Sequence, residues 1–242
     1  MSDYYMTSSV SSYDVVLIVS AALPALLLML KVYRADRLES ESSGMLWRLV
    51  IAGVLSSLVA LVEERILITV LNAAVTKNYA LYMFLLYFVI VAYAEESSKY
   101  LLLKRNTWNS PEFNCQYDGV VYAVFVSLGF ALWENISYVM TYGFRVAIVR
   151  ALTAIPGHAC FGVFMGCWYA QSYALARQGN ADASKLYRVL SVLLPALLHG
   201  AYDYLAVAMA YQSTWYFLGF VAVLFLITYR LIVRLSREDR YI

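Results

Sequence analysis

The sequence has little charge and few cysteines or prolines. Asp, Glu, Lys and Arg together make up 14% of its 242 residues, and the formal net charge is +2. So few charges exclude a disordered chain, and so small a net charge indicates no nucleic-acid partner. The cysteines, Cys115, Cys160 and Cys167, are odd in number and poorly spaced for a disulfide framework, so we expect free thiols that pack in the interior.

Apolar residues are abundant instead. They form 62% of the chain, and the mean hydropathy is +0.65, whereas soluble domains are about 45–50% apolar. The apolar runs are continuous and about twenty residues long, which fits a membrane-crossing helix and not the alternating strands of an outer-membrane barrel. The sequence therefore predicts an all-α, polytopic transmembrane helical bundle in the lipid bilayer, and it excludes a soluble enzyme.

Charged breaks divide the apolar runs into seven predicted spans within one transmembrane domain, 1–242. The spans are approximately 14–33, 46–70, 79–103, 118–142, 147–174, 189–211 and 215–234. Thirteen Lys and Arg residues fall on one side of these spans and three on the other, so the positive-inside rule predicts an outer N-terminus and an inner C-terminus. The segment before the first span has no Lys or Arg, so we expect a retained anchor and not a cleaved signal peptide.

Ten ionisable residues lie inside the predicted spans, where each costs about 2.5–3.5 kcal/mol to insert. They are Glu63, Glu64, Arg65, Glu95, Glu96, Lys99, Glu134, His158, His199 and Asp203. A lone membrane histidine is usually a packing residue. Two histidines that face several carboxylates across consecutive spans indicate a site.

The spacing of these residues aligns two polar pairs. Glu95 and Lys99 are four residues apart on one helix face, as are His199 and Asp203. Glu96 lies about 100° around the helix from Glu95, so the two carboxylates must play different parts. The helical rise puts the third to sixth spans' polar groups about 12–16 Å from the span ends, so they can meet near the midplane.

Imidazole nitrogen and carboxylate oxygen are the ligands that zinc prefers, and a catalytic zinc uses three protein ligands with an open position. His158 and His199 with one of Glu134, Glu96 or Asp203 would supply them. A remaining glutamate could then take a proton from the zinc-bound water. The soluble metalloprotease motif H-E-x-x-H is absent from the sequence.

The cluster at 63–65 and a rival function remain open. A local ion pair or snorkelling of Glu63, Glu64 and Arg65 is the favoured interpretation, with a substrate gate as the second. A proton- or ion-coupled transporter is the main alternative to an enzyme, because transporters also use midplane carboxylates, histidines and proline-broken helices. Pro156 and Pro195, just before the two histidines, are expected to bend their helices.

Four short strings in the third to sixth spans resemble the PrsW family of intramembrane proteases, which is related to the CAAX prenyl endopeptidases. In chain order they are E-E-S-S-K at 95–99, F-A-L-W-E-N at 130–135, P-G-H-A-C-F-G at 156–162 and H-G-A-Y-D at 199–203. The resemblance covers about half of the chain, and its specificity lies in the order of the four strings.

The resemblance implies a multi-pass protease of the bacterial cytoplasmic membrane, usually metal-dependent, that cuts membrane-anchored proteins such as single-pass anti-sigma factors. It implies that Glu95 or Glu96 activates water. It also implies that Glu134, His158 and His199 bind the metal, expected to be zinc, or stabilise the oxyanion. Lys99, Asn135 and Asp203 fall in the same motifs and are the expected supporting residues.

Overall fold

The structure is a computed structural model that describes residues 11–75, 77–208 and 214–242. These residues form helices and no extended strand. The helices are α1 (Ser12–Tyr33), α2 (Ser43–Ala74), α3 (Tyr79–Phe84), α4 (Ala92–Thr107), α5 (Asp118–Tyr142), α6 (Phe144–Leu152), α7 (Ala154–Arg177), α8 (Ala181–Asp203) and α9 (Thr214–Arg237). Two wider π-helical segments extend them, with Leu85–Val91 between α3 and α4 and Tyr204–Ala208 after α8.

Seven of the described helical stretches are long and apolar enough to cross a membrane. They confirm the predicted all-α transmembrane bundle of about seven spans. The last predicted residues of the sixth span, 209–211, lie outside the described residues, and the N-out orientation stays a prediction. The three cysteines are free, as the sequence predicted.

Polar residues in the loops start several helices. Ser11 and Asp14 form a reciprocal capping box on α1, and the Ser42 hydroxyl accepts from the Met45 amide at 3.1 Å at the start of α2. Asn180 caps α8 in the same way. These side chains satisfy amide groups that a helix N-terminus leaves without partners, so the helix starts follow from local sequence.

The fifth predicted span, 147–174, is two helices in the structure. Helix α6 ends at Leu152 and α7 begins at Ala154, with Pro156 in the first turn of α7. Because proline has no amide hydrogen, Pro156 cannot donate to the carbonyl of Leu152, and the chain turns at this point. The break lets α6 fold back toward α5, and this brings Arg150 of α6 into contact with α5.

Helix α5 is the centre of the bundle and packs against α1, α2, α4 and α7. It approaches α2 so closely that a Cβ atom on Gly53 would lie 2.1 Å from the backbone oxygen of Val126. The glycines of the G-x-x-x-G pattern in α7, Gly162 and Gly166, face α5 in the same way. Small residues allow the close backbone contact that membrane helices use for association, because lipid supplies no hydrophobic drive between helices.

One end of the bundle is closed by the chain's C-terminal tail. The amide of Gln116 donates to the carbonyl of Arg240 at 2.9 Å, and the amide of Ile242 donates to the carbonyl of Asn114 at 2.8 Å. The Ser236 hydroxyl donates to the carbonyl of Ala35. The loop after α1, the loop after α4 and the tail after α9 thus lie together, at the end that the charge pattern predicts to be cytoplasmic.

The α2–α5 contact predicts the effect of adding one methyl group. Gly53→Ala should lower the stability of the purified protein by about 1–3 kcal/mol, because the new Cβ meets backbone atoms that can yield only if the helices separate. Gly219→Ala in α9 is the matched control, since a Cβ there has no neighbour within 4 Å. Thermal unfolding in detergent measures both, and equal melting temperatures for the two variants would contradict this packing.

Candidate active site

The ammonium group of Lys99 lies at the middle of a buried polar cluster. Its Nζ is 2.7 Å from Glu96 Oε1, 3.2 Å from Glu95 Oε2 and 3.2 Å from His158 Nδ1. The ring of Phe130 covers it, with the ring centroid 4.0 Å from Nζ. Lys99 and Glu96 are wholly buried, so each needs the other as a counter-charge.

His158 connects α7 to α4 and α5. An ammonium group can only donate, so His158 Nδ1 accepts from Lys99, and Nε2 carries the ring proton. Nε2 donates to Glu134 Oε2 at 3.0 Å. The lone pair of His158 Nδ1 therefore points at the centre of the cluster. On the opposite side of the ring, Glu134 fixes its tautomer and orientation through Nε2.

His199 brings α8 to the same place. Its Nδ1 lies 3.0 Å from Glu96 Oε1, and its Nε2 lies 3.4 Å from Asp203 Oδ2. The ring stacks on Phe161, with centroids 4.7 Å apart and planes at 19°. Both nitrogens of the His199 ring therefore face carboxylates. Either both nitrogens are protonated, or a cation lies between Nδ1 and Glu96 and binds them both.

Arg150 is a member of the site that the sequence did not reveal. It is one of the three Lys and Arg residues that the charge pattern places on the outer side, and no motif surrounds it. The structure places it in α6, where Nη2 donates to Glu134 Oε2 at 2.8 Å and Nε donates to Asn135 Oδ1 at 2.9 Å. Asn135 in turn donates to the carbonyl of Ala21 in α1 at 2.9 Å, so it braces Arg150 and does not touch the cluster centre. Only the break before α7 brings Arg150 to this position.

A cavity of about 480 Å³ adjoins the cluster. Glu95, Glu134, His158, His199 and Asp203 reach its wall. Glu96 and Lys99 are not on that wall and have no exposed surface. The two adjacent glutamates therefore differ in exposure, because only Glu95 of the pair can contact a molecule in the cavity.

Glu64 also lines this cavity, whereas Glu63 and Arg65 do not. Glu63 lies in a separate groove and accepts from the Ser98 hydroxyl at 3.4 Å. Among the described residues no ion pair includes Arg65, so of the two expected explanations the local ion pair is not formed and snorkelling stays a prediction. In the sequence, the adjacent glutamates Glu63 and Glu64 were the feature that could have indicated a site residue in α2. Helix packing decides which of these two glutamates faces the site.

The donor set of the cluster fits a metal ion. One ligand atom from each of Glu95, Glu96, His158 and His199 lies within 4.8 Å of all the others, and all four side chains are buried. Glu96 Oε2 is buried without a hydrogen-bond partner. Glu134, expected among the ligands, lies outside this group of four and instead binds the far nitrogen of His158.

The charges of the site agree with the donor set. The cluster and its cavity wall hold five carboxylates, those of Glu64, Glu95, Glu96, Glu134 and Asp203, and two permanent cations, Lys99 and Arg150. When the carboxylates are ionised, negative charge is in excess, and a divalent cation would reduce that excess. Buried charges without such compensation are strongly unfavourable.

Comparison with known proteins decides the family. Residues 41–229 match the family described as PrsW family intramembrane metalloprotease. The chain belongs to the PrsW family. It is therefore a multi-pass intramembrane protease, and the predictions of an enzyme, a peptidase and a bacterial membrane protein are confirmed.

Three relatives illustrate the extent of the similarity. Protease PrsW of Shouchella clausii is 30% identical over 93% of this chain and 98% of its own length. Protease PrsW of Halalkalibacterium halodurans is 28% identical over 93% of this chain and 99% of its own length. Protease PrsW of Bacillus subtilis is 37% identical, and there the match spans 58% of this chain and 62% of the relative. No solved structure matches the chain.

The buried ion pairs of Lys99 predict a large effect of removing its charge. Lys99→Met should lower the stability of the chelator-treated protein by about 3–5 kcal/mol, because Glu95 and Glu96 stay buried without their counter-charge. Lys185→Met is the control, since that side chain is 69% exposed and its pair with Asp182 should contribute less than about 1 kcal/mol. Unfolding in detergent measures both variants, and a similar small loss in each would contradict the central role of Lys99.

Proposed function

We propose that this PrsW-family chain is a zinc-dependent endopeptidase that cuts membrane-anchored protein substrates in the cavity beside Glu95. The observation that carries the proposal is the meeting of two carboxylates and two imidazoles within 4.8 Å, on three membrane helices. The cavity next to them gives a peptide access to one of those carboxylates.

His158, His199 and Glu96 would hold the metal. The two nitrogens and one oxygen would form a donor set of the kind that holds catalytic zinc. When bound, zinc polarises a carbonyl group and makes water more acidic. Glu96 is the better ligand of the two adjacent glutamates, because it is wholly buried and its Oε2 has no other partner.

Glu95 would act as the general base. Its carboxylate reaches the cavity, so it can accept a proton from an attacking water and return that proton to the leaving amine. Lys99 holds Glu95 Oε2 at 3.2 Å and fixes the carboxylate during the transfer. The two adjacent glutamates of α4 would thus have different roles, since Glu96 would bind the metal and Glu95 would transfer the proton.

Glu134, Arg150 and Asp203 would position the metal ligands. Glu134 holds Nε2 of His158, and Arg150 holds Glu134 from the other side. Asp203 faces Nε2 of His199 in the same manner. Carboxylates behind ligating histidines orient the rings and raise their basicity, so these residues act through their neighbours.

The position of the cavity supports entry of substrate from the predicted outer half of the bundle. Its lining comes from the C-terminal part of α2, the second half of α5 and the first turns of α7. By the charge pattern, these ends face outward. A single-pass membrane protein fits this approach, and the resemblance in sequence names anti-sigma factors as the substrates to try first.

Replacing Glu95 tests the proposal. Glu95→Gln should reduce cleavage of single-pass membrane substrates by about a hundredfold or more, because the amide cannot accept the proton. Full-length and cleaved proteins in membranes of expressing cells can be quantified by mass spectrometry. Glu63→Gln is the matched control, since Glu63 lies outside the cavity and its loss should leave cleavage at the wild-type rate.

Size-exclusion profiles and melting temperatures of the purified variants show whether folding is preserved. Wild-type cleavage by a well-folded Glu95→Gln variant would overturn the assignment of Glu95 as the base. Absence of any cleaved membrane protein with the wild-type chain would overturn the proposed substrate class.

A further inference from the structure

A second group of buried carboxylates lies at the closed end of the bundle. We call Asp36, Glu41, Asp118 and Asp239 the acidic cluster. One oxygen from each of Asp36, Glu41 and Asp118 lies within 4.8 Å of the other two. The cluster joins the loop after α1, the first residue of α5 and the C-terminal tail.

Neighbouring groups hold one oxygen of each of three of these carboxylates. The Tyr122 hydroxyl donates to Glu41 Oε2 at 2.7 Å. The amides of Asn114 and Cys115 donate to Asp118 Oδ2 at 2.9 and 2.7 Å. Asp239 Oδ1 accepts from the amides of Tyr117 and Arg240. These contacts orient the side chains and leave the opposite oxygens free.

These opposite oxygens, and both oxygens of Asp36, are buried without hydrogen-bond partners. They are Asp36 Oδ1 and Oδ2, Glu41 Oε1, Asp118 Oδ1 and Asp239 Oδ2. Asp118 is wholly buried and Glu41 is 6% exposed. Among the ion pairs of the described residues, none includes a member of the acidic cluster. Buried carboxylates that stay ionised without a partner are strongly unfavourable, so the acidic cluster must take up either protons or a cation.

A neutral oxygen supports the same conclusion independently. The hydroxyl of Tyr117 is buried without a partner, and the side chain is 1% exposed. The charges of Asp36 and Asp239 act on this hydroxyl. A tyrosine placed among carboxylates normally donates to one of them, so its unpartnered oxygen indicates a group that the protein alone does not provide.

Protons alone do not satisfy these atoms. A shared proton joins two oxygens, whereas five carboxylate oxygens lack partners here. The carboxylates of Asp36, Glu41 and Asp118 lie close enough to repel one another when ionised, and a cation would remove both the repulsion and the missing contacts.

We propose that the acidic cluster binds a hard divalent cation, Ca²⁺ or Mg²⁺, through Asp36, Glu41 and Asp118. The free donors are all oxygens, which these ions prefer over the nitrogen ligands of the active site. Such an ion would clamp the loop after α1 to the start of α5. Asp239 and Tyr117 would complete its surroundings and hold the C-terminal tail in place.

The acidic cluster is separate from the active site. Asp118 and Glu134 are sixteen residues apart on the same helix, which corresponds to about 24 Å along its axis. The proposal therefore does not depend on the proposed protease mechanism. A His199→Ala variant, which would lose zinc, should keep the response of the acidic cluster to Ca²⁺.

Cation titration of the purified full-length protein tests the proposal. Addition of Ca²⁺ or Mg²⁺ to the metal-stripped wild type should give saturable heat by calorimetry. The melting temperature should rise by about 5 °C or more at a hundredfold excess over Kd. Tb³⁺ should give sensitised luminescence, because Tyr117 and Tyr122 lie beside the carboxylates, and Ca²⁺ should quench it by displacement.

Asp36→Asn is the decisive variant. Neither oxygen of Asp36 accepts from another side chain, so the change removes a charge and a ligand without breaking a side-chain contact. Its metal-free melting temperature should equal or exceed that of the wild type, because repulsion falls, and its response to Ca²⁺ should be lost. Asp182→Asn is the matched control, since that side chain is 97% exposed and should leave the response unchanged.

Two outcomes would overturn the proposal. One is a wild-type protein without heat, luminescence or thermal shift up to about 10 mM Ca²⁺ or Mg²⁺, which exceeds the Kd of even weak protein sites. The other is an Asp36→Asn variant that responds as the wild type does, because the ion would then bind elsewhere.

Discussion

The need to neutralise buried charge governs this structure. Glu95, Glu96 and Lys99 sit on one helix among apolar neighbours, where an unpaired charge would outweigh the stability of a whole domain. The contacts of Lys99 with both glutamates and His158 draw α4 and α7 together, and Glu96 draws in α8 through His199. The same contacts that lower the free energy of the fold therefore gather the donors that a metal requires.

The two ends of the bundle meet this constraint in different ways. At the active site, nitrogen and oxygen donors surround Lys99, and a cavity gives access to Glu95. At the closed end, only oxygens meet, around Asp118, and the chain folds over them. The two sites thus differ in their donor atoms and in their access. The active site can admit a substrate, whereas the acidic cluster would hold the helices together.

Apolar runs and charge were enough to predict the spans, and the four motifs were enough to predict that polar side chains of α4, α5, α7 and α8 meet. The roles of Glu134 and Arg150 could not be predicted, because they depend on the turn before α7 that folds α6 onto α5. The position of Glu64 on the cavity wall likewise depends on which face of α2 turns toward the bundle. The hydrophobic pattern does not reveal that face, because a helix exposed to lipid is apolar on all sides.

The central claim is that His158 and His199 hold a metal between three membrane helices. Elemental analysis of the detergent-purified protein, beside a His158→Ala/His199→Ala double variant of equal folding, tests it most directly. About one zinc per chain in the wild type and none in the double variant is the predicted result. A wild-type protein that stays free of zinc after zinc addition, or a double variant that retains it, would contradict the account.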